Sequence, residues 1–432
     1  MPARSLAEWL AYIERIHPKS IQLGLERVAK VRSALGLSVR AALFTVAGTN
    51  GKGSTCAMLE SILLAAGYRV GLYTSPHLVR YNERVRIDGV AVGDASLCEA
   101  FEAIEAARGD TTLTYFEFGT LAACKIFATG PLDAVILEVG LGGRLDAVNA
   151  FDCDCAILTS VALDHMDYLG DTREEIGAEK AGIFRAGKPA IVADPDPPTS
   201  VTGHAAAIGA ELQLIGRDFG YRKERQQWLF WGRRGRRSGL AYPALRGPAQ
   251  LLNASAALAA LDALHERLPT ATQDVRDGLA KVELPARFQT LPGRPAVVLD
   301  VAHNPQAAAV LAENLADMGF FPETYAVFGM LRDKDMVGVC RAMKGRVSKW
   351  FTADLSVQRG ASAAMLAEAI RESQAGGEVR GFPTPREAYA EARNRAGEND
   401  RIVVFGSFYT VAEVMVAAEA ARAVSRGARQ GP

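Results

Sequence analysis

The segment Val46-Ala47-Gly48-Thr49-Asn50-Gly51-Lys52-Gly53-Ser54-Thr55 constrains this chain more than any other stretch. A β-rich run, Ala42 to Val46, leads into it, and an apolar helical pattern from about Ser54 to Ala66 leads out. Strand, glycine-rich turn and helix in that order commit the first half of the chain to a parallel sheet covered by helices. Glycines let backbone N–H groups turn toward an anion, and the helix N-terminus behind them favours negative charge. Lys52 is then placed for the β- and γ-phosphates of a nucleotide, with Ser54 or Thr55 near phosphate and metal. The spacing departs from the usual phosphate-loop pattern, because Gly53 stands between the lysine and the hydroxyl. A glycine-rich turn with a solvated lysine is the plain alternative, and the strand–loop–helix setting favours nucleotide.

The rest of the chain continues that alternation. The opening segment reads as helix, and Ile21 to Leu25 as the approach to the first strand. Arg69 to Tyr73, Asp133 to Val139, Cys155 to Ser160 and Pro189 to Ala193 read as further strands. Aromatics and arginines between residues 213 and 242 suggest a small antiparallel ribbon, after which Gln250 to Leu264 is an Ala/Leu-rich helix. Beyond Pro285 a second series begins, with strands at Ala296 to Val301, Tyr325 to Phe328, Lys349 to Thr352 and Arg401 to Phe405, and a last helix from about Val411 to Val424. The expected fold class is α/β: a P-loop-type, mostly parallel sheet domain over residues 1–284, followed by a smaller Rossmann-like α/β domain over 285–432. At 432 residues, two cores are the natural reading.

Composition excludes several classes. Lys+Arg and Asp+Glu both number 49, so there is no basic excess for a nucleic-acid partner. The run Arg233, Arg234, Arg236 and Arg237 reads as a solvated hairpin tip. The cysteines show no redox or zinc spacing and read as buried thiols in a reducing compartment. Charged residues interrupt the N-terminal apolar stretch, and no run of about 20 apolar residues could span a bilayer. A cytoplasmic protein without nucleic-acid or membrane partners, monomeric by default, is expected.

In open α/β sheets ligands bind beyond the carboxyl ends of the strands. Ser75, Glu138 and His165 each fall at such an end, on the same edge as the glycine-rich loop. Serine and glutamate oxygens suit magnesium; histidine suits a softer or more dehydrated position. Each also has a plain reading as a turn serine, a strand-end carboxylate and a loop histidine capped by Asp164 or Asp167. Thr172 and Glu175 form a capping box that starts a helix. That register places Lys180 on the apolar face, where an unpaired ammonium is expensive. An ion pair or snorkelling is one account. A depressed pKa and reaction with carbon dioxide to a metal-ligating carbamate is the other.

Taken together, these blocks resemble the Mur ligase superfamily, and within it the bacterial bifunctional folylpolyglutamate/dihydrofolate synthase family. The matching blocks are Gly48 to Ser54, Thr74-Ser75-Pro76-His77-Leu78, Leu137 to Asp146, Leu163-Asp164-His165, Glu179-Lys180-Ala181-Gly182-Ile183 and Asp300-Val301-Ala302-His303-Asn304-Pro305, in the family's order. The resemblance implies an ATP-dependent ligase that adds L-glutamate to dihydropteroate and to reduced folates through an acyl phosphate. It implies magnesium, as two ions held by Ser75, Glu138, His165 and carbamylated Lys180, and it admits potassium. ATP would meet Thr49, Asn50, Gly51, Lys52, Gly53, Ser54 and Thr55, together with Asn253, Arg287, Asp300 and His303. The pterin would be lined by Ile21, Gln22, Leu23 and Gly24, by Tyr115, Phe116 and Glu117, and by Leu145, Asp146 and Ala147. Lys52, Glu138, His165, Lys180 and Arg287 would carry the chemistry. A tail-extending synthase alone, another amino-acid ligase of the superfamily, and a non-catalytic ATP-binding switch are the rival readings. The Gly-Lys-Gly-Ser sequence speaks against the peptidoglycan-precursor branch, where Gly-Lys-Thr is expected.

Overall fold

In the computed structural model, which describes residues 4–428 except 20 and 248, the chain divides into two units. The first holds residues through His77, Tyr81–Ala244 and Gln250–Glu283; the second holds Leu78–Arg80, Leu245–Ala249 and the chain from Leu284 onward.

The first unit is built on β1 (Ala42–Ala47), β2 (Val70–Tyr73), β3 (Val85–Ile87), β4 (Val90–Ala91), β5 (Ala134–Glu138), β6 (Cys155–Leu158), β7 (Pro189–Val192) and β8 (Glu211–Leu214). Their order across the sheet is β4-β3-β2-β5-β1-β6-β7-β8, parallel from β2 to β8, with β3 and β4 an antiparallel hairpin at one edge. All six residues of β1 are buried, as both faces of a parallel sheet require when helices cover them. The chain passes from β5 over β1 to β6, so the strand order reverses there, and the loops after β1, β5 and β6 emerge side by side.

The helix after the glycine-rich loop, Lys52–Ala65, is buried almost all round. The helices Gln250–Ala263 and Thr272–Lys281 pack against it. Gly278 permits the second crossing: a Cβ there would lie 2.5 Å from the Ile62 Cα, and Ser61 Oγ donates to the Gly278 carbonyl at 2.7 Å. Ile21 to Leu25 do not lead into a strand. They precede the helix Glu26–Ala34, whose Val28 and Val31 are buried one turn apart, a period that the flanking charges obscure.

The ribbon is a three-stranded antiparallel sheet of β9 (Gly220–Lys223), β10 (Trp228–Gly232) and β11 (Gly235–Leu240). Arg233 and Arg234 are exposed at its turn, but Arg237 is not a solvated tip residue. It pairs with the buried Asp262 at 2.6 Å and ties the ribbon to the helix Gln250–Ala263. Five of the six cysteines are buried, Cys98 being the intermediate one, and all are free.

The second unit carries β12 (Gln289–Leu291), β13 (Ala296–Leu299), β14 (Thr324–Phe328), β15 (Lys349–Ala353), β16 (Glu378–Phe382) and β17 (Arg401–Phe405). Their order is β12-β13-β17-β14-β15-β16, parallel except for β12. One apolar cluster, around Val298, Phe328, Trp350 and Phe405, fills one face. Another, around Leu299, Val327, Phe351 and Val404, fills the other. Among the described residues no helix is long and apolar enough to cross a membrane.

Candidate active site

Three loops at the carboxyl edge of the first sheet form the centre of the site. The loop after β1 turns at Gly48 and Gly51, with φ of +147° and +88°. A side chain at Gly48 would collide with Thr159 Oγ1, and one at Gly51 with the Asn253 carboxamide. Glycine is therefore needed twice over, for conformation and for close approach. The loop is stitched to the segment after β6. Thr49 N donates to the Ser160 carbonyl at 2.8 Å and Asn50 N to Ser160 Oγ at 3.1 Å, while Thr159 Oγ1 donates to the Asn50 carbonyl at 2.7 Å. Thr49 Oγ1 also receives Ala162 N at 3.0 Å. Lys52 curls over the loop, with Nζ 3.0 Å from the Gly48 carbonyl and 3.3 Å from that of Thr49. Behind it Ser54 and Thr55 are buried, and Thr55 Oγ1 has no hydrogen-bond partner. A bent backbone, a lysine and a helix N-terminus form a cradle that fits an anionic phosphate chain.

Glu138, the last residue of β5, is buried and accepts from Ser75 N at 3.1 Å, so the expected metal ligands Ser75 and Glu138 lie together. His165 stands beyond β6 in a left-handed conformation, φ +52°, heading the short helix Met166–Leu169. Its backbone N–H donates to Asp164 Oδ1 at 2.9 Å. Lys180 lies in the last turn of the helix Arg173–Ala181, which the Thr172/Glu175 capping box starts. Its side chain is buried, and burial, with the Lys52 charge adding to it, pushes its pKa down to about 7 against the pull of Asp164 and Asp146. Among the described residues no three His, Cys, Asp or Glu side chains converge as a ready-made cation cage. Of the expected set only Glu138 and His165 are of those types. A divalent ion still suits a buried carboxylate beside a serine, with phosphate oxygens to complete the shell.

The loop after β5 folds onto the Lys180 helix. Arg144 N donates to the Glu179 carbonyl at 2.8 Å, and a Cβ at Gly143 would lie 2.8 Å from the Lys180 carbonyl oxygen. Asp146 closes this loop by accepting Gly140 N, Leu141 N and Val148 N at 3.1, 2.9 and 3.0 Å. Burial raises its carboxyl to about 7, more than these amides and the Lys52 charge can offset.

The expected acceptor segments also converge. Gly24 N donates to the Leu145 carbonyl at 3.2 Å, joining residues 21–24 to 145–147. The Phe116 ring fills the space over Gly140, where a Cβ would come within 2.6 Å, and it lies 5.8 Å from the Tyr73 ring. Glu117 is engaged inside the protein, capping its own helix through Thr114 N at 2.7 Å and pairing with Arg27 at 2.7 Å. Tyr115 packs edge-on to Tyr81 at 5.7 Å, with the Arg84 guanidinium over both rings.

In the second unit, Asp300 follows β13 and accepts Phe288 N and Ala302 N, each at 2.8 Å. Burial raises its carboxyl, while the Arg287 charge draws it down. Arg287 sits between two residues of positive φ, Ala286 and Phe288, with its guanidinium 5.5 Å from the Phe408 ring centre; the His303 ring is 6.3 Å from the same ring. Arg287, Asp300 and His303 thus group around the loops after β13 and β17. Sequence reasoning passed over the residues that hold the first site in shape: Thr159 and Ser160, Asp194 (which accepts Val161 N at 2.7 Å) and Arg27. Thr159 and Ser160 could have been found from two hydroxyls directly after a buried strand.

Comparison with known proteins follows the same outline. Residues 46–261 match the Mur ligase middle domain, and residues 286–408 match the Mur ligase, glutamate ligase domain. The dihydrofolate synthase/folylpolyglutamate synthase of Escherichia coli K12 is 47% identical over 97% of both chains. The Haemophilus influenzae protein of the same name is 38% identical, over 96% of this chain and 98% of its own. The folylpolyglutamate synthase of Lacticaseibacillus casei is 33% identical, over 94% of this chain and 97% of its own. Among solved structures, E. coli FolC in complex with DHPP and ADP superposes with a TM-score of 0.93, at 46% identity over 97% of this chain and 99% of that one. A bifunctional folylpolyglutamate synthase/dihydrofolate synthase with Mn, AMPPNP and L-glutamate bound superposes at 0.89, with 47% identity over 96% and 98%.

Proposed function

The chain belongs to the Mur ligase family and, within it, to the dihydrofolate synthase/folylpolyglutamate synthases, and on that premise we propose that it joins L-glutamate to dihydropteroate and to reduced folates at the expense of ATP. The observation that carries this reading is the meeting, on one sheet edge, of a phosphate cradle, the Ser75–Glu138 pair and the loop that lines Lys180 on one side and the acceptor segments on the other.

An oxygen of the acceptor carboxylate attacks the γ-phosphorus, the bond to the β-bridging oxygen breaks, and ADP leaves an acyl phosphate. The amine of glutamate then attacks the acyl carbon and loses a proton, and inorganic phosphate departs with the C–O bond electrons. Both steps gather negative charge on phosphoryl oxygens, so the protein's task is to hold and neutralise it. The amides after Gly48 wrap the phosphates. Lys52, released from the Gly48 and Thr49 carbonyls, places its ammonium on the γ-phosphoryl oxygens. Asn253, against Gly51, meets the nucleotide from the helix Gln250–Ala263, and Arg287, Asp300 and His303 are assigned to ATP as well. Ser75, Glu138, His165 and Lys180, the last as a carbamate, would hold magnesium, which when bound withdraws charge from the phosphates. The reading includes a monomeric, cytoplasmic enzyme, with potassium admitted as a further cation.

A tail-extending synthase alone is the second reading, favoured by the likeness to the L. casei protein. ADP and product formation with ATP, magnesium and L-glutamate, comparing dihydropteroate with tetrahydrofolate as acceptor, decides between them. Turnover with both is expected; tetrahydrofolate alone selects the second reading, and turnover with neither, despite ATP binding, overturns both.

A further inference from the structure

Residues 21–24 have no regular secondary structure, and beyond the single backbone bond from Gly24 N to the Leu145 carbonyl they are held by side chains from elsewhere. Two residues outside the expected site provide them. Arg27, on the helix Glu26–Ala34, reaches Glu117 with Nε at 3.1 Å and with one terminal nitrogen at 2.7 Å, and that same nitrogen donates to the Gln22 carbonyl at 2.8 Å. One guanidinium thereby holds an acceptor-lining carbonyl and an acceptor-lining carboxylate in fixed register, a geometry suited to its planar fork. The pair is shielded, with Glu117 only 5% exposed, and Glu117 is itself fixed by Thr114 N. From the other side the buried His17 ring bridges Gln22 Oε1 at 2.8 Å and Thr112 Oγ1 at 2.9 Å. The two contacts leave Gln22 clamped by backbone and side chain.

We propose that Arg27 and His17 are positioning residues of the acceptor subsite. They preset residues 21–24 against 115–117 and so govern how tightly the pterin-bearing acceptor is held, without touching it. The inference rests on the acceptor reading given above. An irregular segment left to order itself on binding would draw its ordering entropy from the acceptor's binding energy. Nucleotide binding, built on the loop after β1, does not draw on this clamp.

Steady-state kinetics of the full-length enzyme, varying acceptor and then ATP, test it. Arg27→Gln should raise the acceptor KM roughly ten-fold or more and leave the KM for ATP unchanged. Arg27→Lys should recover most of that loss, and His17→Phe should give a smaller rise of the same kind. If Arg27→Gln does not fold, Arg27→Lys and His17→Phe carry the same test, each with a raised acceptor KM and an unmoved ATP KM. An unmoved acceptor KM overturns the inference. So does a parallel loss in kcat, ATP KM and thermal stability without recovery in the lysine variant. Wild-type enzyme inactive with either acceptor removes the functional reading and this inference together, whereas an active wild type with unaltered variants removes this inference alone.

Discussion

Lys180 in the first unit and Arg401 in the second are equally hidden, each 5% exposed, yet they are treated in opposite ways. Arg401 opens β17 at the amino end of its sheet, and its guanidinium donates to the Leu315 carbonyl at 2.6 Å and to Thr324 Oγ1 at 3.0 Å. The Phe321 ring covers it at 4.7 Å. Burial, with Arg346 nearby, lowers its pKa only to about 10, and it stays charged on neutral acceptors. Lys180 lies beside the loops of the carboxyl edge, buried near the Lys52 charge and drawn the other way by Asp164 and Asp146. Its pKa falls to about 7, leaving the amine reactive near neutrality. A buried charge whose hydrogen bonds end on fixed neutral groups is architecture, whereas a buried amine of lowered pKa beside a phosphate cradle suits the carbamate proposed above.

That contrast can be broken by experiment. Removing divalent ions with a chelator should abolish ligation in the wild type and in Arg401→Met alike, with magnesium restoring both; activity surviving chelation would remove the metal from the account. Lys52→Ala should slow ADP release by on the order of a thousand-fold with its thermal unfolding little changed, and near-normal ligation would break the phosphate assignment. Lys180→Ala should lose roughly a hundred-fold in activity. Carbon-13 NMR in labelled bicarbonate sharpens this case, because the wild type should show a carbamate resonance that the variant lacks. Arg401→Met, the smallest effect, should leave kcat per folded enzyme unaltered and lower stability by about 1–3 kcal/mol, since the Leu315 and Thr324 oxygens are left buried without a donor. A catalytic defect in this variant would erase the distinction between the two cations.

Central strands were legible in the amino-acid sequence because parallel strands buried on both faces are near-continuous apolar runs, as in Ala42–Ala47, broken only by Thr45, and in residues 402–405. Edge strands were not. β16, Glu378–Phe382, has mostly exposed residues and a central Arg-Gly, and β3 is three residues long. The β3–β4 hairpin did carry a readable signal in Asp88-Gly89, both of positive φ. Within the site, the inward turn of Lys180 followed from helical period and a capping box alone. The Arg27 clamp could not be foreseen, because a charged residue in a polar helix gives no hint of a partner 90 positions away. Arg237 shows the opposite error, one inward residue hidden within a run that otherwise faces solvent.

On the acceptor reading proposed above, Gly143 and Gly182 bear on any redesign of acceptor preference. Gly143 lies directly on the carbonyls of Glu179 and Lys180, and the space a Cβ at Gly182 would take is held by Arg144. Asn149 Nδ2 bridges the two stretches, donating to the Arg144 carbonyl at 2.9 Å and to that of Gly182 at 3.0 Å. With no slack between them, the two stretches behave as a single cassette. A loop transplanted from a relative with another acceptor would have to bring 140–149 and 179–183 together, because either alone would land on a surface cut for its own counterpart.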